Sequence, residues 1–211
     1  METAIRVMVA EDDPLALRAL RAYLDKAADC VLVGAVTDGS SAVELARSVK
    51  PDVAVLDIHM PILNGIEVTR KLTAPDIGCA VVCFTAFGDD ETMMAALAAG
   101  ASGFLLKTDS PGLVLHSIRS AYTGDSLVSP KLLANLLRRN RSASEPPVDL
   151  SENDLRLIAL VGQGLSNAEI AQEVFLAPST VKTYVSRLLT RLDRPNRTSL
   201  AILAHDWGLV S

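Results

Sequence analysis

Val53-Ala54-Val55-Leu56-Asp57, followed at once by Ile58-His59-Met60-Pro61 and then Asn64-Gly65, is an apolar strand that ends in a single carboxylate. A charge at the mouth of a buried strand is costly unless its surroundings compensate it. Three other apolar runs end in the same way. Ile5-Arg6-Val7-Met8-Val9-Ala10 leads into Glu11-Asp12-Asp13, Val81-Val82-Cys83-Phe84 into Thr85, and Gly103-Phe104-Leu105-Leu106 into Lys107. In an open parallel sheet the carboxyl ends share one edge, which is where ligands bind in doubly wound folds. Three acids, a hydroxyl and an ammonium therefore meet in one pocket. The acids would resist ionising together without a divalent cation among them, and an all-oxygen carboxylate set suits Mg²⁺ rather than zinc or copper.

Working outward, strand and helix patterns alternate five times. Strands are expected near 5–10, 31–35, 53–58, 80–85 and 103–106, and helices near 14–27, 40–49, 66–73, 90–99 and 111–123. Such βα repeats predict an α/β domain over 1–125, a five-strand doubly wound parallel sheet with helices on both faces. Residues 126–149 are expected to hold a short helix near Pro130–Leu137 and then a linker, because Arg138 to Asp149 is polar and rich in Ser and Pro, with little to bury. Residues 150–211 carry no strand pattern and fit four helices, near 152–162, 167–174, 178–191 and 198–207. Ser151 three residues before Asp154, and Ser166 three before Glu169, have the spacing of capping boxes. Phe175-Leu176-Ala177 separates the second and third helices by the interval of a helix-turn-helix.

Charge and composition narrow the function classes. Residues 1–125 hold ten Lys and Arg against seventeen Asp and Glu, net −7, whereas residues 126–211 hold ten against eight, net +2. The first half would repel nucleic acid; in the second, Lys182, Arg187, Arg191, Arg194 and Arg197 crowd together with Asp193 as the nearby counter-charge, a phosphate-binding footprint. No run approaches the ~18 uninterrupted apolar residues of a membrane span, and the N-terminus turns acidic by Glu11 without a signal-like apolar stretch. A cytoplasmic address without a membrane partner follows. Cys30, Cys79 and Cys83 are odd in number and lack C-x-x-C spacing, so they are expected to be buried, reduced thiols.

The first half resembles, residue by residue, the receiver domain of bacterial two-component response regulators, a flavodoxin-like fold. That resemblance implies that Asp57 is the nucleophile taking a phosphoryl group from a sensor histidine kinase. It implies that Asp12 and Asp57 bind Mg²⁺ with the backbone carbonyl of His59, Glu11 assisting. Lys107 would offset phosphoryl charge, Thr85 would donate its hydroxyl, and Phe104 would rotate into the space Thr85 vacates. The family often has a cis proline after the lysine; Thr108 stands there, and a trans bond is expected. Asp13 reads as the N-cap of the helix opening at Pro14. His59 and Phe87, two residues after Asp57 and Thr85, flank the route by which water reaches an acyl phosphate.

The second half resembles the four-helix DNA-binding domain of the LuxR type, through Gly164-Leu165-Ser166-Asn167-Ala168-Glu169-Ile170-Ala171, Ser179-Thr180-Val181-Lys182-Thr183-Tyr184-Val185-Ser186 and Asn196-Arg197-Thr198. Together the halves resemble the NarL/FixJ family, a transcription regulator and not an enzyme. Lys182, Thr183, Ser186 and Arg187 share the face from which this family reads the major groove of promoter DNA. Thr180, Arg191 and Arg197 are expected to hold phosphates. Val181, Val185, Leu188 and Leu189 should pack inward with Ile158, Ile170 and Ala171. Leu200, Leu203 and Trp207 recur at helical intervals and are expected to form the contact of a homodimer promoted by phosphorylation.

Each reading has a plainer rival. Asp57 alone is open to reading as a cap on the following segment, but the matching residues at the other strand ends weigh against that. A haloacid dehalogenase-type phosphohydrolase needs a second acid two residues after the nucleophile, where His59 stands. A ligand-activated LuxR regulator would carry a small-molecule domain in place of the acidic βα repeat. A receiver working through protein contacts alone would not need the full acid, Thr and Lys set.

Overall fold

β3 (Val53–Leu56) is buried at every position, as a strand must be when helices cover both faces of a parallel sheet. In the computed structural model, which describes residues 4–129 and 150–210, it lies in a sheet of order β2-β1-β3-β4-β5-β6. The elements of this first unit are β1 (Ile5–Ala10), α1 (Pro14–Leu24), β2 (Cys30–Val36), α2 (Gly39–Val49), β3, α3 (Gly65–Leu72), β4 (Ala80–Thr85), α4 (Asp90–Ala98), β5 (Gly103–Leu106), α5 (Pro111–Thr123) and β6 (Leu127–Val128). Every pairing is parallel. The chain divides into two units after Ser129. The expected helix near 130–137 and the linker to Asp149 lie outside the described residues.

Side chains alternate across the sheet. Val7, Val9, Val53, Val55, Val82, Phe84 and Leu105 pack with Leu20 and Leu24 of α1 and Val114, Ile118 and Ala121 of α5. Their neighbours Met8, Ala54, Leu56, Val81, Cys83 and Phe104 point to the opposite face and are also fully buried. Each large side chain so buried contributes about 1.5–3 kcal/mol. Polar residues start the helices: Asp13 Oδ1 accepts from the Leu15 amide, and Asn64 and Glu67 form a reciprocal capping box on α3. Cys30, Cys79 and Cys83 are free and buried, and burial pushes the Cys79 and Cys83 thiols up to about 12.

The sheet has six strands where five were expected. Leu127 and Val128 pair with Gly103 and Phe104 of β5, adding a short edge strand inside the segment read as helix and linker. Ser129 completes it, its amide donating to the Phe104 carbonyl at 2.8 Å.

The second unit is all-α: α6 (Glu152–Gly162), α7 (Asn167–Glu173), α8 (Pro178–Arg191) and α9 (Arg197–Asp206). The capping boxes at Ser151 and Ser166 are both present. The turn between α7 and α8 passes through Phe175 at φ 55°. Ile158, Val161, Ile170, Val181, Val185 and Leu188 form the core with Leu200, Leu203 and Ala204. The expected apolar dimer stripe is therefore corrected at two positions: Leu200 and Leu203 are buried inside their own domain, and Trp207 is half-buried against the same core. The cause is the close approach of α9 to α6, where a Cβ on Gly162 would lie 2.5 Å from that of Ala204.

Candidate functional site

The sheet order reverses between β1 and β3, and the crevice at such a switch point is where an α/β sheet takes its ligand. Glu11 and Asp12 follow β1, and Asp57 follows β3. Glu11 is 1 % exposed, Asp57 4 % and Thr85 0 %, whereas Asp12 and His59 are exposed. The loop after Asp57 is held by Gly65, whose amide donates to the Ile58 carbonyl at 2.9 Å. A Cβ at Gly65 would stand 2.2 Å from the Asp57 carbonyl oxygen, so the backbones can approach this closely only with glycine there.

Lys107 joins the two buried acids, its Nζ donating to Glu11 Oε1 at 2.7 Å and to Asp57 Oδ2 at 2.8 Å. Asp57 Oδ1 accepts from the amides of Ile58 at 2.6 Å and His59 at 3.3 Å. Glu11 Oε1 also accepts from the Asp13 amide at 3.0 Å, but its Oε2 is buried with no hydrogen-bond partner. Burial pushes the Glu11 carboxyl up to about 7 and the Asp57 charge adds to the rise, against hydrogen bonds from Lys107 and the Asp13 amide. Burial works against the Lys107 ammonium, yet its bonds to Asp57 and Glu11 outweigh that and hold it above its ordinary value.

One carboxylate oxygen from each of Glu11, Asp12 and Asp57 can be chosen so that all lie within 4.8 Å of one another. A hard, all-oxygen set with an orphaned buried oxygen fits Mg²⁺. Thr85 Oγ1 accepts from the Phe87 amide at 3.4 Å, and Phe87 itself is 74 % exposed. Phe104 lies inside the receiver's core. It is already fully buried, on the sheet face shared with Cys83, its register partner on β4.

In the second unit, α8 presents Lys182, Thr183, Ser186 and Arg187 to solvent, while Val181, Val185 and Leu188 face the core. Sequence reading passed over Tyr184, which is exposed beside them with the Arg187 guanidinium 5.9 Å from its ring centroid. The three-residue spacing of Tyr184 and Arg187 was the available signal. Of the expected phosphate contacts, Thr180 is half-buried, and Arg191 is exposed and paired with Asp154 at 3.2 Å. Arg197 is corrected. It is buried, its guanidinium donating to Asn167 Oδ1 at 2.9 Å and to the Leu165 carbonyl, so it ties α9 to the start of α7. Among the described residues no helix is long and apolar enough to cross a membrane.

Comparisons with known proteins agree with this division. Residues 7–119 match the response regulator receiver domain, and residues 148–204 match the bacterial regulatory proteins of the luxR family. The chain is 32 % identical to the transcriptional regulatory protein LiaR of Bacillus subtilis, over 98 % of this chain and 100 % of that one. It is 35 % identical to the DNA-binding transcriptional activator DevR/DosR of Mycobacterium tuberculosis, over 95 % and 94 %. Among solved structures, the response regulator ChrA of a heme-sensing two-component system aligns over 98 % of this chain and 99 % of its own, with 31 % identity and a TM-score of 0.55. With both halves matched in order and the relatives aligned over nearly their whole length, the chain belongs to the NarL/FixJ-type two-component response regulators, which join a receiver to a LuxR-type DNA-binding domain.

Proposed function

We propose that the chain receives a phosphoryl group on Asp57 from a sensor histidine kinase in the cytoplasm and, so modified, regulates transcription by binding promoter DNA as a homodimer. The observation that carries the first step is the Lys107 bridge between Asp57 and Glu11, with Glu11 Oε2 left orphaned beside it. Glu11, Asp12 and Asp57, with the His59 carbonyl, would hold Mg²⁺, which supplies charge neutralisation for the transferred group. An Asp57 carboxylate oxygen forms a bond to phosphorus as the donor's N–P bond breaks, and the departing imidazole takes up a proton. The Lys107 ammonium faces the phosphoryl oxygens, and the Thr85 hydroxyl donates to one of them. Displacement of Thr85 repacks Phe104 on the same sheet face, carrying the event into the fold.

Lys182, Thr183, Ser186 and Arg187 read base edges, with Thr180 and Arg191 on phosphates. The exposed face of α8 supports this reading. The homodimer draws no support from Leu200 and Leu203, which belong to the domain's own core.

Incubation with acetyl phosphate and Mg²⁺ is expected to label the protein at one site, and Asp57→Asn to abolish the label. Full labelling of that variant, or of the parent after Mg²⁺ is chelated, would overturn the assignment.

A further inference from the structure

The loop that carries Lys107 is tied to the place where the chain leaves the receiver. Lys107 begins a turn between β5 and α5 that Asp109 closes twice over. The Asp109 amide donates to the Leu106 carbonyl at 2.9 Å, and the Leu106 amide donates to Asp109 Oδ2 at 2.9 Å. The second carboxylate oxygen is used elsewhere: Asp109 Oδ1 accepts from the hydroxyl of Ser129 at 3.3 Å. Ser129 is fully buried and is the last residue of the first unit, with Pro130 beginning the segment that leads to the DNA-binding half. Its amide is bound to the carbonyl of Phe104, and the Leu127 amide to that of Ser102 at 3.1 Å. On the other side of the turn, the Lys107 amide donates to the Thr85 carbonyl at 2.8 Å. One carboxylate thus ties Leu106, the residue before Lys107, to Ser129, the residue that follows the exit strand β6.

We propose that Asp109 is a positioning residue: it aims Lys107 by bracing its turn against Ser129, and in return lets movement of Lys107 reach the exit of the receiver. The inference rests on the phosphoacceptor reading above. A buried hydroxyl needs a partner, and in this structure Asp109 supplies it. A flexible ammonium is effective only if its backbone is held, because a misplacement of about 1 Å at a reacting centre is enough to cost on the order of 100-fold. Transmission in the reverse direction is required by the same contacts: whatever biases the turn biases β6, and whatever loosens β6 loosens the turn.

The test compares the full-length parent with Asp109→Ala, Asp109→Asn and Ser129→Ala. It measures the single-turnover rate at which acetyl phosphate labels Asp57 in saturating Mg²⁺, and the hydrogen exchange of the Leu127 and Ser129 amides. Asp109→Ala is expected to slow labelling by about 10- to 100-fold, with Mg²⁺ affinity unchanged, and to speed exchange at both amides. Asp109→Asn is expected to restore most of the rate, since its amide oxygen can accept from Leu106 and its nitrogen can donate to Ser129. Ser129→Ala should give a smaller loss, absent when Asp109 is already alanine. Labelling of Asp109→Ala at the parental rate, or unchanged exchange at Leu127 and Ser129, would overturn the inference while leaving the phosphoacceptor intact. Failure of the parent to label would overturn the phosphoacceptor reading and with it the kinetic half of the inference, and the exchange rates would still decide whether Asp109 braces β6.

Discussion

The Lys107 ammonium lies 2.8 Å from Asp57 Oδ2 and is shared with Glu11, so one cation bridges two buried acids. Lys107→Ala leaves those acids facing each other without it. Breaking a buried pair from one side costs about 3–5 kcal/mol, and loss of a donor aimed at developing charge slows transfer about 100-fold or more. Added Mg²⁺ should restore a larger part of the unfolding temperature in the variant than in the parent. Thermal unfolding with and without Mg²⁺ checks this, and identical Mg²⁺ responses would count against the shared-cation arrangement.

Gly65→Ala places a Cβ 2.2 Å from the Asp57 carbonyl oxygen and 2.7 Å from the Ile58 Cα, both backbone atoms that cannot rotate away. A loss of about 1–3 kcal/mol is expected from the overpacking, together with slower labelling at Asp57. The control is Gly112→Ala on α5, where an added Cβ meets nothing. Equal urea midpoints for the two variants would refute the crowding argument.

Lys182→Ala should weaken binding to a defined operator by about 1–3 kcal/mol and relax its sequence preference, as loss of a base-edge contact does. Arg197→Ala should act differently. Removing a buried guanidinium takes its hydrogen bonds away from Asn167 Oδ1 and the Leu165 carbonyl inside the fold, so the expected effect is a domain destabilised by roughly 3 kcal/mol. Operator titrations of both variants, with Trp207 fluorescence as the measure of folding, separate the two. A fully stable Arg197→Ala that loses affinity uniformly and with a smaller salt slope would restore the phosphate role.

Acid should loosen the second unit through its caps. The Ser151 hydroxyl, with Arg191 adding a smaller share, holds the Asp154 carboxyl below its ordinary range, and the Ser166 amide and hydroxyl do the same for Glu169. A depressed folded-state value means the stabilisation is present above the unfolded value, about 3.9–4.3, and is lost as the pH falls through the folded one. Trp207, the sole tryptophan, reports this unit. Its urea midpoint should fall on acidification below about pH 4, and less steeply in Asp154→Asn; matching slopes would refute the cap contribution.

What was legible in the chain was local. Apolar runs of strand length ending in Glu11, Asp57, Thr85 and Lys107 placed the site because strand direction and sheet edge follow from the βα repeat. The caps at Ser151 and Ser166 needed only three-residue spacings, and that at Asp13 only the proline that follows it. β6 was missed because two residues carry no periodicity, and its pairing partner Gly103 lies 24 residues away from Leu127. Arg197 and the Leu200 and Leu203 pair were misplaced for a related reason. Spacing shows that side chains share a helix face, but whether that face meets solvent depends on a neighbouring helix, here α6 against α9.

The three buried thiols amount to a built-in set of clocks. All lie in the receiver and none in the DNA-binding half, so a thiol reagent added to the native protein reacts only as fast as the sheet opens. Cys30 begins β2, the strand at one edge, whereas Cys83 sits in the interior strand β4. The ratio of their alkylation rates separates fraying of the edge from loss of the whole sheet, and reads both without a label on the DNA-binding half.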